Sequence, residues 1–188
     1  MSNVRLQVHI RAVGPEEEAA LAAIAWTAKA SWGYSAAQLE VWREELLPSI
    51  ESVRTQPTFV AELNGQLAGF YQLSMNAQPV ALEHLWVHPL FMRQGVGRML
   101  LVHAAGYLAN LGIASLQVDS DPNAEPFYAA SGAVRVGVRA APIGGRPTRV
   151  RPQLRLSTEQ PNPSIEGASS PKLRLPAAAA HVERRRPQ

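Results

Sequence analysis

Residues 88–101 read HPLFMRQGVGRMLL. Gly95 and Gly97 open a segment whose apolar residues otherwise recur at helical spacing. Glycine is a poor helix former, so its place here needs a reason, and three compete. A dinucleotide-binding turn needs a third glycine at position 100, where Leu100 stands, and an acidic residue about 20 positions on that is also missing. The glycines could instead serve only a tight strand-to-helix turn. The third reason is an anion cradle. Without side chains an anion comes close to the main chain, and the free N–H groups and dipole of the first helical turn hold it. Arg93 and Arg98 flank the turn and could add charge-assisted contacts to phosphate oxygens. This explains why poor helix formers sit at a helix start.

The elements around this turn follow from pattern. VRLQVHIRAV (4–13) alternates apolar and polar residues and reads as a strand. Gly14-Pro15 ends it, Pro15 suits a first helical turn, and Glu16 to Glu18 suit a helix N-terminus. AALAAIAWTAKA carries that helix to Ala30, and SWGYS (31–35) breaks it. Ser35 caps a second helix, AAQLEVWREELL, which Pro48 stops. TFVAEL (58–63) and LAGFYQLSM (67–75) flank Asn64-Gly65, a hairpin signal. VALEHLWV (80–87) is a strand leading into the glycine turn, and the helix at 96–112 ends on Gly112. ASLQVDS (114–120) is a strand, AEPFYAASG (124–132) a short helix, and AVRVGVR (133–139) and VRPQLRL (150–156) the last strands. The order β-α-α-β-β-β-α-β-α-β-β predicts an α/β (α+β) domain over 1–156, with a mixed sheet of about seven strands and about four helices. Residues 157–188 lose periodicity, are rich in Pro, Ser, Ala and Arg, and read as a disordered tail.

Two segments together resemble a known family. VHPLFMRQGVGRMLL is similar to the acetyl-CoA-binding motif of the GCN5-related N-acetyltransferase (GNAT) family, [Q/R]-x-x-G-x-[G/A]. Gly95 and Gly97 match, and Met92 departs from the usual Gln or Arg. DPNAEPFYAASGA resembles the family's later motif, with Ala124, Phe127, Tyr128 and Gly132 in register, Asp121 where Asn is usual and Ala133 where an aromatic is usual. The strand and helix order agrees over residues 4 to 156.

The resemblance implies an acyltransferase that moves acetyl from acetyl-CoA to a primary amine of a small molecule, peptide or protein, by direct transfer and without a metal. It implies a cofactor site of Leu85, Trp86, Val87, Met92, Arg93, Gln94, Gly95, Val96, Gly97, Arg98, Asp121, Asn123, Phe127 and Tyr128. Within it, Asp121 and Asn123 would bond the pantetheine arm or cap the next helix, and a main-chain N–H near Trp86 or Val87, freed by a bulge, would meet the oxyanion. Tyr128 matches the family's general acid, which protonates the leaving thiolate. For the base, the strand at 80–87 offers one carboxylate, Glu83, on the side of Leu85 and Val87 by alternation. An apolar cleft would raise its pKa; a solvated strand residue is the plain alternative. His84 points the other way and is the second candidate base, while His88 shapes the turn. Trp32, Tyr34 and Glu83 would face the acceptor, whereas Trp26 and Trp42 read as core. The rival to an enzyme is a non-catalytic CoA-binding sensor.

Composition sets further bounds. The 188 residues contain no cysteine, which removes disulfides, thiolate metal sites and a cysteine nucleophile and suits a cytoplasmic location. The first twenty residues lack a continuous apolar run, and no stretch suits a membrane span. Residues 135–188 hold 11 Lys and Arg against 3 acidic residues, yet no aromatic residue. The lack of a stacking surface argues against a nucleic-acid partner. The resemblance also leaves a homodimer through the late strand VRPQLRL as an option.

Overall fold

The computed structural model describes residues 7–158. Seven strands form one sheet: β1 Val8–Ala12, β2 Thr58–Leu63, β3 Gln66–Ser74, β4 Ala81–Val87, β5 Ser115–Asp119, β6 Val134–Ala140 and β7 Val150–Ser157. Their spatial order is β1-β2-β3-β4-β5-β7-β6. All neighbours run antiparallel except β4 and β5, which run parallel. Six α-helices complete the described residues: α1 Glu18–Ala30, α2 Ala36–Val41, α3 Arg43–Leu46, α4 Ile50–Thr55, α5 Val96–Asn110 and α6 Glu125–Ala130.

Period-two side chains send each strand into two cores. Phe59, Ala61 and Leu63 of β2 join Leu100, Leu101, Ala104 and Leu108 of α5. Val60 of β2 and Phe70 of β3 join Leu21, Ile24 and Ala25 of α1, Leu39 of α2, Leu46 of α3 and Val53 of α4. The sheet thus lies between α5 on one face and α1–α4 on the other.

Several boundaries differ from expectation. α1 starts at Glu18 rather than at Pro15, because Glu17 turns back: its carboxylate accepts from Arg11 Nη1 at 2.8 Å and from the Gly14 N–H at 2.5 Å. The expected helix over 36–47 breaks at Trp42 into α2 and α3. α4 fills a stretch expected as a connection; Ser49 caps it, its hydroxyl accepting from the Ser52 N–H at 3.0 Å. Positions 4–6 of the first expected strand, and positions 159–188 of the expected tail, lie outside the described residues. Ser157 pairs with Ser115 and the Thr158 N–H donates to the Ala114 carbonyl, so the sheet runs past the expected boundary at 156. VRPQLRL is not an open edge: β7 is held by β5 on one side and β6 on the other. The outermost strand on that side is β6, with Val134, Val136 and Val138 exposed.

Candidate active site

The central geometric feature is a split in the sheet. β4 and β5 share only two rungs, Ala81 with Gln117 and Leu82 with Val118, and then part. The cause lies on the other edge of β4. Gln72 faces His84 while the next residue, Leu73, faces Leu82. Glu83 is therefore the extra residue of a β-bulge, and a bulge bends its strand. Beyond it, the edge of β4 from His84 to Val87 has no strand partner on the β5 side. The bulge also flips the alternation, so that Leu82 and Leu85 both pack towards α5. The bulge itself falls at Glu83, and the edge it frees includes Trp86 and Val87, where the main-chain donor was expected. The expected apolar setting for the Glu83 carboxylate is absent too: the residue is exposed, and its carboxylate has no ion-pair or hydrogen-bond partner among the described residues.

The glycine turn meets the mouth of this split. Gly95 is the N-cap of α5 with φ 85°, a left-handed conformation that disfavours any side chain. No side chain caps the helix. The Val96, Gly97 and Arg98 N–H groups meet no acceptor among the described residues, and the ladder begins with Met99 donating to the Gly95 carbonyl. Gly97 packs against the end of β4 and α6: a Cβ there would stand 3.4 Å from the Phe127 ring and from Val87 Cγ2, an ordinary contact that does not itself demand glycine. Arg93, Gln94 and Arg98 are exposed, while the Val96 side chain is buried in the core. Val96 can thus offer its N–H but no side-chain contact. Gln94 Nε2 donates to the Leu90 carbonyl at 2.8 Å, and half-buried Met92 closes the short turn at Pro89–Phe91. His88 shapes that turn, Nδ1 accepting from the Leu90 N–H at 3.3 Å.

A cavity of about 300 Å³ opens where β4 and β5 part. It brings together Trp32, Glu83, Leu85, Trp86, Asp121 and Tyr128 of the expected site; Tyr34, Val87, residues 92–98, Asn123 and Phe127 do not line it. Tyr128 is 6% exposed, and its hydroxyl has no hydrogen-bond partner among the described residues. Burial pushes the phenol well above its usual range, so it stays protonated. A buried tyrosine normally finds a partner; here the hydroxyl is left for whatever enters the cavity.

Asp121 has a different task from the one expected. Its carboxylate accepts from Lys29 Nζ, from Arg149 Nη2 at 3.0 Å, from the Tyr34 hydroxyl at 3.0 Å and from the Asn123 N–H at 2.9 Å. Burial would raise its pKa, but the hydrogen bond and charge of Lys29, with the bonds from Asn123 and Tyr34, hold it below the usual carboxylate value. Asn123 Nδ2 in turn donates to Asp121 and Tyr34. These groups bond one another rather than stand ready for a pantetheine arm. Trp42, expected in the core, lines the cavity, and so do Lys29 and Arg149.

Comparison with known proteins agrees with this geometry. The model of the acetyltransferase (GNAT) domain matches residues 15–142. The chain belongs to the GNAT acetyltransferase family. A GCN5-related N-acetyltransferase structure from Rhodopseudomonas palustris is 25% identical, with a TM-score of 0.67 over 83% of this chain and 99% of that one. The PaiA N-acetyltransferase of Thermoplasma acidophilum, solved with coenzyme A, is 19% identical, with a TM-score of 0.60 over 81% and 99%. No curated protein matches the chain in sequence.

Within this GNAT domain the second candidate base is poorly suited to its role. His84 is buried against Phe70, and the Trp86 indole Nε1–H donates to its Nδ1 at 3.3 Å. Burial pulls its pKa down to about 4, so the imidazole is neutral and weakly basic. Among the described residues no three His, Asp or Glu side chains come together as a metal site, and no helix is long and apolar enough to cross a membrane.

Proposed function

We propose that the protein is an acetyl-CoA-dependent N-acetyltransferase acting on a primary amine by direct transfer. One observation carries this: the unpaired edge of β4 shares its cavity with the unpartnered hydroxyl of Tyr128 and ends, at Val87, beside the bare N-terminus of α5. The N–H groups of Val96, Gly97 and Arg98 suit a pyrophosphate, and exposed Arg93 and Arg98 add positive charge. Main-chain groups of Leu85, Trp86 and Val87 suit the amides of a pantetheine arm, and an N–H on that edge suits a carbonyl oxygen as it gains charge.

In the transfer, the amine nitrogen bonds to the acetyl carbon and the C–S bond breaks. The Tyr128 hydroxyl gives its proton to the departing sulfur. The proton lost by the amine passes to Glu83, directly or through water at the exposed bulge. The chain has no cysteine to carry the acetyl group, and a direct attack needs none. The structural neighbour crystallised with coenzyme A supports the choice of cosubstrate.

The test is acetyl-CoA consumption by the full chain across a panel of amines and peptides, with Tyr128→Phe beside it. Turnover that collapses in the variant while acetyl-CoA still raises the melting temperature supports the proposal. Unchanged turnover removes Tyr128 as the acid, and coenzyme binding without turnover on any amine favours a sensor.

A further inference from the structure

The inner wall of the cavity carries a charge cluster that the transfer steps do not use. Lys29 Nζ and Arg149 Nη2 both donate to Asp121 Oδ2. The two cationic side chains are only 11% and 8% exposed. Two positive charges thus share one carboxylate, leaving a net charge of +1 in a nearly dry place. Lys29 Nζ also lies 5.0 Å from the ring centres of Trp32 and Tyr34 and 4.9 Å from that of Trp42. Rings stabilise a cation but leave its N–H donors unfilled. An ammonium has three such donors, and among the described residues only Asp121 accepts from Lys29.

The rim of the same cavity has the opposite balance. Glu45, Glu83 and Asp119 stand against Arg139 and Arg151, three acids to two bases, a net −1. A guest that neutralises both zones is anionic at its inner end and cationic towards the rim. Trp32, Trp42 and Trp86 also line the cavity and add broad apolar surface around Lys29.

We propose that the acceptor is an aminocarboxylate with a bulky apolar side group. Its carboxylate completes the Lys29–Arg149 pair, its amine faces the open edge of β4 and Glu83, and its side group lies on the tryptophans. This rests on the acetyl-transfer function proposed above and names the substrate class of that site.

The experiment compares three matched acceptors with the full chain and acetyl-CoA: L-phenylalanine, phenylalaninamide and 2-phenylethylamine. Charge-assisted hydrogen bonds predict kcat/KM for phenylalanine about 10- to 100-fold above both others. The amide has the less basic amine, so intrinsic reactivity runs against this order. Lys29→Met should bring the ratio of acid to amine close to one. If that variant does not fold, the ratio in the unaltered chain decides alone. Equal rates, preference for the two carboxylate-free amines, or turnover of none of the three while acetyl-CoA still binds would overturn the aminocarboxylate and leave acetyl transfer standing. Absence of acetyl-CoA binding in a calorimetric titration would remove the transferase function itself, and the acceptor with it.

Discussion

The two ends of the site, the glycine turn beside the cavity and the charge cluster within it, are built by different means. At the α5 end the working parts are main chain: a left-handed Gly95, uncapped amides and the unpaired edge of β4. At the α1 end they are side chains from distant positions, with Lys29, Tyr34, Asp121 and Arg149 joined in one hydrogen-bonded cluster. A main-chain cradle tolerates changes in its side chains, which is how Met92 can stand where the family motif has Gln or Arg. A buried charge cluster does not tolerate them, because removing one member strands the others. The first construction suits a cosubstrate common to a family and the second an acceptor particular to one member.

Four substitutions or conditions sharpen this contrast. The largest effect is expected at the α1 end: Asp121→Ala leaves Lys29 and Arg149 buried without their carboxylate and should cost about 3–5 kcal/mol in urea unfolding. A loss under about 1 kcal/mol would show that the cluster is not what holds α1 to the β6–β7 side. Tyr128→Phe, where the two ends meet, should lower kcat by about a hundredfold or more and leave the unfolding midpoint nearly unchanged, because the hydroxyl has no partner among the described residues.

His84 gives a pH dependence. Its pKa is about 4 in the fold against 6.5 when free. Between these values the unfolded chain takes up a proton that the folded chain refuses. The stabilisation is therefore complete above pH 6.5 and drains away as pH falls towards 4, by about 3 kcal/mol for the full shift. Denaturation at pH 7 and pH 4.5 should differ less in His84→Asn than in the unaltered chain, and an equal difference would remove the assignment. The smallest effect is expected at the α5 end. Gly95→Ala meets no atom within 4 Å and costs only the left-handed backbone, about 1–2 kcal/mol. It should weaken acetyl-CoA about tenfold with the KM for the amine unaffected; a shift in the amine KM alone would contradict the division between the ends.

The sequence carried the first construction better than the second. All seven strands and the glycine turn were legible because alternation, the Asn64-Gly65 hairpin and the paired motifs are local patterns. α4 was missed although Ser49 after Pro48 is a cap signal, since only six residues follow it. The bulge at Glu83 left no mark, because it depends on how β3 pairs with β4 and not on β4 itself. That one extra residue decided which side Leu85 and Glu83 face. Lys29 was overlooked within AALAAIAWTAKA, although it falls four residues after buried Ala25 and eight after buried Leu21. A lone lysine on a buried helical stripe implies a buried partner, but nothing local shows that the partner stands 92 residues away. Asp121 was visible only as a motif position, and its distant contacts come from Lys29 of α1, Tyr34 in the loop after it and Arg149 just before β7.

The central claim is that the uncapped start of α5 grips a pyrophosphate and so aims a thioester at the β4 edge. Calorimetric titration of the full chain with acetyl-CoA and with acetyl-pantetheine, which lacks the pyrophosphate, tests it most directly. The account predicts that acetyl-CoA binds at least about 30-fold more tightly. Equal affinities, or no heat from acetyl-CoA at all, would contradict it.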